Sequence, residues 1–212
     1  ESDGDIFSYG DYDYRIIGKN AVIVKYTGSD STVTIPEMIS GYCVSQVGHS
    51  AFSSCDKLET IKLPDSLNEI GDYGFAYCRN LKNVNLPKNL KRIGSDAFSG
   101  CVSLEEINIP KSLENVSLSF RDSGIKRVTF ESGITKIIPG LLQSVSGLEE
   151  LEIPKDVTEI GAAAFSGCTA LKKVTIPSGV TKIGYSAFSS CIELKKVTIP
   201  SKVTQIGHSA FS

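Results

Sequence analysis

The chain has 212 residues, of which 22 are Lys or Arg and 24 are Asp or Glu, so its formal net charge is −2. Because this balance is nearly neutral, the composition gives no electrostatic argument for a nucleic-acid-binding protein or a polybasic membrane binder, and we expect no nucleic-acid partner. No apolar run approaches the roughly 18–20 residues that a membrane-spanning helix needs, so we expect no membrane insertion by this segment.

Residues 1–30 differ in character from the rest of the chain. They are rich in Tyr and Phe, and two segments, Arg15-Ile16-Ile17 and Ala21-Val22-Ile23-Val24, flank Gly18, Lys19 and Asn20. This pattern predicts a β-hairpin that turns near Gly18 to Asn20. We expect residues 1–30 to cap the repeats that follow, and the alternative is a Tyr-rich binding patch. The chain begins at Glu1 with no visible signal peptide, so we expect a trimmed start.

From residue 31 onward the sequence repeats, with a period of 23 residues. Pro, Phe and Cys recur every 23 residues within two groups: first Pro64, Pro87 and Pro110 with Phe52, Phe75 and Phe98 and with Cys55, Cys78 and Cys101, then Pro154, Pro177 and Pro200 with Phe165, Phe188 and Phe211 and with Cys168 and Cys191. Three residue types do not share one period by accident, so we treat residues 31–212 as one array of repeated units.

The clearest copy of the unit, residues 168–190, shows what each slot does. Val174 and Ile176 alternate with period two, which predicts a short strand with its branched side chains inward. Pro177 ends the strand, because proline has no N–H to donate. Gly184 marks a corner where φ is positive or two backbones pass closely. Ala187 and Phe188 are expected to fill the interior from a short helical turn.

A single unit cannot bury these apolar side chains, whereas stacked units can. The sequence therefore predicts a right-handed solenoid over residues 31–212, of the β-rich α/β class, with about eight coils and an incomplete last one. A parallel sheet would line its concave face, and turns, short strands and helical turns its convex side. The predicted rungs are Val33/Ile35, Ile61/Leu63, Val84/Leu86, Ile107/Ile109, Val128/Phe130, Leu151/Ile153, Val174/Ile176 and Val197/Ile199. The pattern stops within a unit at Ser212, so we expect a longer natural chain or a truncated terminal repeat.

The unit Leu-x-x-Val-x-Ile-Pro-x-x-Val-x-x-Ile-Gly-x-x-Ala-Phe-x-x-Cys resembles the 23-residue leucine-rich repeat of bacterial surface proteins of the BspA, or treponeme, type. The resemblance covers roughly residues 30–212. It implies a leucine-rich-repeat solenoid with an N-terminal cap, in a secreted or cell-surface protein that contacts host or neighbouring-cell macromolecules. Ordinary leucine-rich repeats carry Asn or Cys three residues after the strand, a slot that is held here by Ser66, Asn89, Ser112, Gly133, Asp156, Gly179 and Lys202.

Two places depart from the regular unit. The first coil has five extra residues around Met38 to Cys43, in a Gly-containing loop. Between Leu113 and Leu148 the coils depart further, since Pro110 to Glu131 spans 21 residues, and Glu131 replaces the repeated Pro. This distortion has two interpretations, a local binding pocket or sequence drift that a solenoid tolerates, and the second is favoured.

The residue types that carry catalysis and metal binding are sparse. Cys55, Cys78 and Cys101 occupy equivalent slots and are expected to be stacked free thiols rather than disulfides, while Cys43 is the best candidate for an accessible thiol. His49 and His208 lie seven coils apart, or about 33 Å at sheet spacing, so they cannot share a metal or a substrate. There is no Cys-x-x-Cys pair and no phosphate-binding Gly-rich motif. We expect no enzyme, no catalytic residue, no metal and no cofactor.

The outward positions of the strands are the candidate ligand-binding residues. A backbone ladder fixes them in rows, so little entropy is lost when a partner binds. The rows contain no Tyr, Trp or exposed Phe, the usual anchors of interfaces, so two interpretations remain. One is a protein-binding or adhesion module whose partner is a protein or another extracellular macromolecule, and the other is a structural spacer. The candidates are Thr60, Lys62, Asn83, Asn85, Glu106, Asn108, Arg127, Thr129, Glu150, Glu152, Lys173, Thr175, Lys196 and Thr198.

Overall fold

A computed structural model describes residues 4–212, and these residues form nineteen β-strands and no helix. The strands lie in two rows along a solenoid of about eight coils, preceded by an N-terminal meander. The strands of the meander and the first coil's insertion are β1 (Phe7–Tyr9), β2 (Tyr12–Ile17), β3 (Asn20–Tyr26), β5 (Met38–Ile39) and β6 (Tyr42–Val47). The solenoid predicted from the 23-residue period is confirmed.

The first row contains the Val-x-Ile segments of the repeat. Its strands are β4 (Thr32–Thr34), β7 (Thr60–Lys62), β9 (Asn83–Asn85), β11 (Glu106–Ile109), β13 (Arg127–Phe130), β15 (Glu150–Glu152) and β17 (Lys173–Thr175). They pair in parallel and in register, but as three separate sheets, β4-β7-β9, β11-β13 and β15-β17, rather than as the one sheet expected. The predicted eighth rung at Val197 and Ile199 is not a strand, and Ile199 is 37% exposed.

The second row consists of two-residue strands around the Ile that precedes the repeated Gly. Its strands are β8 (Glu69–Ile70), β10 (Arg92–Ile93), β12 (Asn115–Val116), β14 (Lys136–Ile137), β16 (Glu159–Ile160), β18 (Lys182–Ile183) and β19 (Gln205–Ile206). The end of β6 continues this row, which runs in parallel as β6-β8-β10-β12 and again as β14-β16-β18-β19. This row supplies the short strands that the repeat predicted away from the Val-x-Ile sheet.

The prediction of helical turns around Ala-Phe is wrong, because these segments form consecutive tight turns. In the first coil the N–H groups of Ser50, Phe52 and Ser54 donate to carbonyls of the next coil at 2.8–2.9 Å, while the alternate N–H groups bond within the coil. Ser50 and Ser54 adopt positive φ values of 54° and 59°, which a helix does not contain. Every second amide N–H thus donates to a carbonyl of the neighbouring coil, so the i to i−4 hydrogen bonds of an α-helix cannot form.

The repeated Gly marks close backbone approach rather than positive φ. A Cβ on Gly184 would lie 2.5 Å from the Ala162 nitrogen and 2.6 Å from the Gly161 carbonyl carbon, and φ at Gly184 is not positive. Real Cβ atoms do not approach backbone this closely. Successive coils therefore pass each other at this corner without room for a side chain.

The N-terminal β-hairpin is confirmed. β2 and β3 pair antiparallel around the turn at Gly18 and Lys19, and β3 then pairs parallel with β6. Tyr26 at the end of β3 stacks on Phe52 with ring centroids 5.0 Å apart. The hairpin thus extends the second row and covers one end of the core. The domain boundary at 30/31 stays a prediction.

The core is a continuous apolar column that contains the repeated Phe side chains. From Tyr26 onward, the rings stack at centroid distances of 5.0–5.5 Å through Phe52, Phe75, Phe98 and Phe120, and again through Phe165, Phe188 and Phe211. Leu142 occupies the slot between the two stacks and is fully buried. Stacked neighbours therefore shelter the side chains that one unit cannot bury.

Candidate binding surface on the first-row strands

The outward side of the first row, which we call the sheet face, carries twelve of the fourteen candidate residues on its strands. Of all fourteen candidates, thirteen are exposed and Thr60 is intermediate. The buried positions between them, such as Ile61 and Leu151, hold each strand against the core. Because the strands pair in register, side chains from neighbouring coils stand side by side; the Asn108 amide, for example, donates to the Thr129 hydroxyl at 2.8 Å. Lys196 and Thr198 lie beyond the last paired strand.

Two grooves cross the sheet face where its three sheets meet. One groove extends over β7, β9 and β11, so it includes the β9/β11 junction, and has a volume of about 390 Å³. The other, of about 300 Å³, lies at the β13/β15 junction, and its polar and charged lining residues are Arg127, Thr129, Glu150, Glu152, Lys173 and Thr175. At both junctions neighbouring strands are close but do not pair, so the backbone ladder is interrupted there.

Charge on the second groove alternates along the solenoid axis. Arg127 lies on one side, the carboxylates of Glu150 and Glu152 share the middle rung, and Lys173 stands opposite Glu150 in the register. The Arg127 Nε is 3.6 Å from a Glu106 carboxylate oxygen, whereas Glu150 forms no ion pair among the described residues. The middle rung therefore offers two exposed carboxylates to a partner, flanked by a cation on each side.

A column of ion pairs borders the sheet face just before each strand. Lys82 contacts Glu59 at 2.9 Å, and the pairs Lys126–Glu105 and Lys172–Glu149 follow, each at 2.7 Å. Each of these pairs joins two coils whose first-row strands are bonded. The hydrogen bond and charge of Lys126 lower the pKa of Glu105, and Lys172 lowers the pKa of Glu149 in the same way. Since both partners are well exposed, such pairs set the pattern of charge more than stability.

The cysteines are free thiols, as the sequence predicts, and Cys43 is exposed. Four of those in the repeat, Cys78, Cys101, Cys168 and Cys191, donate to main-chain oxygens of the preceding coil, as from Cys101 to the Phe75 carbonyl at 3.2 Å. Burial raises the pKa of the Cys101 thiol to about 12 and that of Cys191 to about 11. Buried neutral thiols are poor nucleophiles and poor metal ligands, so these four thiols are part of the packing.

Neither a metal centre nor a membrane span is found in the part of the chain that the structure describes. No three His, Cys, Asp or Glu side chains converge there in a group that could hold a metal ion. No helix there is long and apolar enough to cross a bilayer. His49 contacts Tyr73 edge-on at a centroid distance of 5.7 Å, far along the chain from His208.

Sequence reasoning missed three exposed tyrosines of the repeat, which lie outside the sheet face. Tyr73, Tyr77 and Tyr185 are 39%, 46% and 62% exposed, and all three belong to the tight turns around the Phe column. Their position could have been found from the repeat, because they occupy variable slots next to the buried Ala-Phe pair. The sheet face thus lacks aromatic anchors, while the turns carry three.

Two parallel strand rows, tight turns and a stacked apolar column define this protein as a leucine-rich-repeat solenoid. The sequence matches the family described as the BspA type leucine rich repeat region, in six copies, over residues 25–144 and 142–212. The chain therefore belongs to the BspA-type leucine-rich-repeat family, which confirms the resemblance. No match was found among curated proteins.

Solved structures of bacterial leucine-rich-repeat proteins share this fold. A leucine rich cell surface protein from Faecalibacterium prausnitzii is 29% identical with a TM-score of 0.62, and the match covers all of this chain and 52% of the other. The leucine rich repeat protein of Treponema pallidum is 28% identical with a TM-score of 0.63, covering 96% of this chain and 86% of the other. A leucine-rich repeat protein from Bacteroides capillosus is 31% identical with a TM-score of 0.56, covering 60% and 99%. The chain spans about half the length of the first of these relatives.

Proposed function

We propose that this chain is a non-catalytic recognition module of a secreted or cell-surface bacterial protein, and that its sheet face binds a protein or another extracellular macromolecule in adhesion. Leucine-rich-repeat domains generally mediate protein–protein interaction, and one relative is described as a cell surface protein. The proposal is carried by one observation. The sheet face presents exposed polar side chains at fixed positions, because its strands pair in register, and two grooves cross it.

The second groove is the proposed centre of the contact. Its exposed Glu150 and Glu152 between Arg127 and Lys173 suit a partner segment with a basic side chain flanked by acidic ones. Complementary charge of this kind speeds encounter and sets the register of the partner more than it adds affinity. The rigid backbone loses little conformational entropy on binding, which favours a stable complex.

The test exchanges the charges of the groove. In Glu150→Lys with Lys173→Glu the total charge of the protein stays the same but the pattern on the sheet face is reversed. Binding of wild type and variant to a panel of immobilised extracellular-matrix proteins is measured by surface plasmon resonance, and the variant is expected to lose binding. The matched control is Glu159→Lys with Lys182→Glu, which reverses an ion pair of 2.9 Å on the second row of the same two coils.

Unchanged binding by the groove variant, or an equal loss in the control, would count against the sheet face. The second candidate function is a structural spacer without a ligand of its own. It is favoured by the absence of exposed aromatic anchors among the fourteen candidate residues. A wild-type protein that binds no member of the panel would support the spacer.

A further inference from the structure

An apolar cleft opens between the coil that begins with β11 and the coil that begins with β13. We call it the junction cleft; its volume is about 210 Å³. It lies at the short 21-residue coil, away from the outward residues of the sheet face. Its principal apolar lining residues are Ile109, Leu113, Phe130, Ile134, Ile137 and Leu141.

The cleft exists because one row joins these two coils and the other does not. In the first row β11 and β13 pair over four residues. In the second row β12 pairs with β10 and β14 with β16, but β12 and β14 do not pair with each other. The Glu114 and Thr158 amides donate to the preceding coil at 2.8 and 2.9 Å, whereas the Thr135 amide has no such bond among the described residues. The coils are therefore held together on one side and separated on the other.

The sequence change at Glu131 contributes to this opening. In the coils before and after, the Leu113 amide donates to the Pro110 carbonyl at 3.2 Å and the Val157 amide to the Pro154 carbonyl at 3.0 Å. Where Glu131 replaces the Pro, no equivalent bond from Ile134 closes the turn within residues 4–212. The Glu131 carboxylate instead accepts the Lys111 amide N–H at 2.9 Å. The turn is therefore held to the preceding coil by a side chain and is not closed by its own backbone.

Size and charge restrict what the cleft can hold. A dry apolar cavity of about 150 Å³ takes benzene, so this volume suits one aromatic ring with a short chain. The only charged residues among those that line the cleft are Lys111 and Lys136. The Lys111 ammonium has one distant partner, a Glu131 oxygen at 3.9 Å, and Lys136 contacts Glu159 at 3.1 Å. Two exposed cations beside an apolar cleft favour a ligand with one anionic end.

We propose that the junction cleft binds a small aromatic carboxylate, with its ring among the apolar side chains and its carboxylate beside Lys111 and Lys136. A neutral hydrocarbon would make no contact with either ammonium group, and an aliphatic dicarboxylate would leave the apolar lining unfilled. This site is independent of the function proposed for the sheet face.

The probe is 3-phenylpropionate, titrated into the ¹⁵N-labelled 212-residue protein and followed by amide chemical shifts. Saturable shifts confined to residues 109–113 and 130–141 are expected below about 10 mM ligand, since an efficient ligand of this size reaches millimolar affinity or better. 3-Phenylpropanol, which has the same ring and no charge, is expected to bind more weakly. Absence of saturable shifts, shifts centred elsewhere, or equal affinity for the alcohol would overturn the proposal.

Two matched lysine variants test the charged end without disturbing the core. Lys136→Gln is expected to weaken binding of 3-phenylpropionate about twofold to fivefold, the range for an exposed ion pair. Lys182→Gln is the control, because Lys182 also contacts Glu159, at 2.9 Å, but does not line the cleft. Affinity for the alcohol should not change in either variant. Equal effects of the two substitutions on the carboxylate would contradict the assigned role of Lys136.

Discussion

Phe165 lies fully inside the solenoid, where its ring stacks on Phe188 with centroids 5.2 Å apart. Truncation would leave a cavity beside the Phe188 ring. We expect Phe165→Ala to lower the free energy of unfolding by about 3–5 kcal/mol, as for other buried aromatic side chains. Urea denaturation followed by circular dichroism measures the change.

The same column offers a matched control for this substitution. Phe211 stacks on Phe188 at 5.3 Å in the same geometry but is 39% exposed. Phe211→Ala should therefore cost less than Phe165→Ala, because part of its surface stays in water in the folded state. A loss below about 1 kcal/mol for Phe165→Ala would show that the ring does not support the core as described.

The cysteines show which properties of single residues the repeat pattern predicts and which it does not. The phase of the Cys residues predicted stacked free thiols, and the structure confirms free thiols in equivalent slots. The pattern did not reveal their partners, such as the Leu142 carbonyl that accepts from Cys168 at 3.3 Å. That contact depends on where the preceding coil places its backbone.

At the scale of one element, the corner after each second-row strand depends on the absence of a side chain. Gly184→Ala would place a methyl group 2.5 Å from the Ala162 nitrogen, so backbone must move. We expect this variant to lose about 1–3 kcal/mol of stability, the usual cost of overpacking. Thermal and urea melts measure the difference from wild type.

Gly179 in the same coil is the control for the corner. A Cβ there would meet its nearest atom at 3.6 Å, an ordinary contact, and φ at this position is not positive. Gly179→Ala is expected to be neutral or to stabilise by up to about 1 kcal/mol, because Ala reduces the freedom of the unfolded chain. Equal destabilisation by both variants would contradict close coil approach as the cause.

The strands and the turns differ in how well local sequence predicts them. Alternation at Val174 and Ile176 identified a strand because period two belongs to strands alone. The Ala-Phe segment carries no comparable signal, and the helical turn expected there is wrong. Amides such as that of Phe165, which donates to the Ala187 carbonyl at 2.9 Å, bond between coils instead. A local pattern does not show which neighbouring backbone an amide will meet.

Across the whole molecule, the breaks in the two rows are staggered. The first row is interrupted at β9/β11 and β13/β15, and the second row is interrupted between β12 and β14. Any two adjacent coils whose strands are described are therefore joined by strand pairing in at least one of the two rows. In a solenoid, stability is the sum of such nearest-neighbour contacts. Because no coil interface lacks both rows, we expect the protein to unfold as one cooperative unit.

The uneven distribution of tyrosines along the chain allows this cooperativity to be measured. Seven of the eight Tyr residues precede residue 78, so their fluorescence reports the N-terminal part, whereas far-ultraviolet circular dichroism reports all strands. Urea transitions from the two probes are expected to coincide. A fluorescence midpoint clearly separated from the dichroism midpoint would mean that the junction at β12/β14 divides the molecule into two folding units.

The sequence by itself determined the repeat, the inward Val-x-Ile positions, the N-terminal hairpin and the family, because these depend on residue types recurring in phase. Only the tertiary structure decided that the first row divides into three sheets, that the Gly corner is a close approach, and that the coil around Glu131 opens into a cleft. Each of these depends on hydrogen bonds between coils, whose presence is set by the distance between backbones. Backbone distance depends on how all the side chains of two neighbouring coils pack, and no single unit of the sequence contains that information.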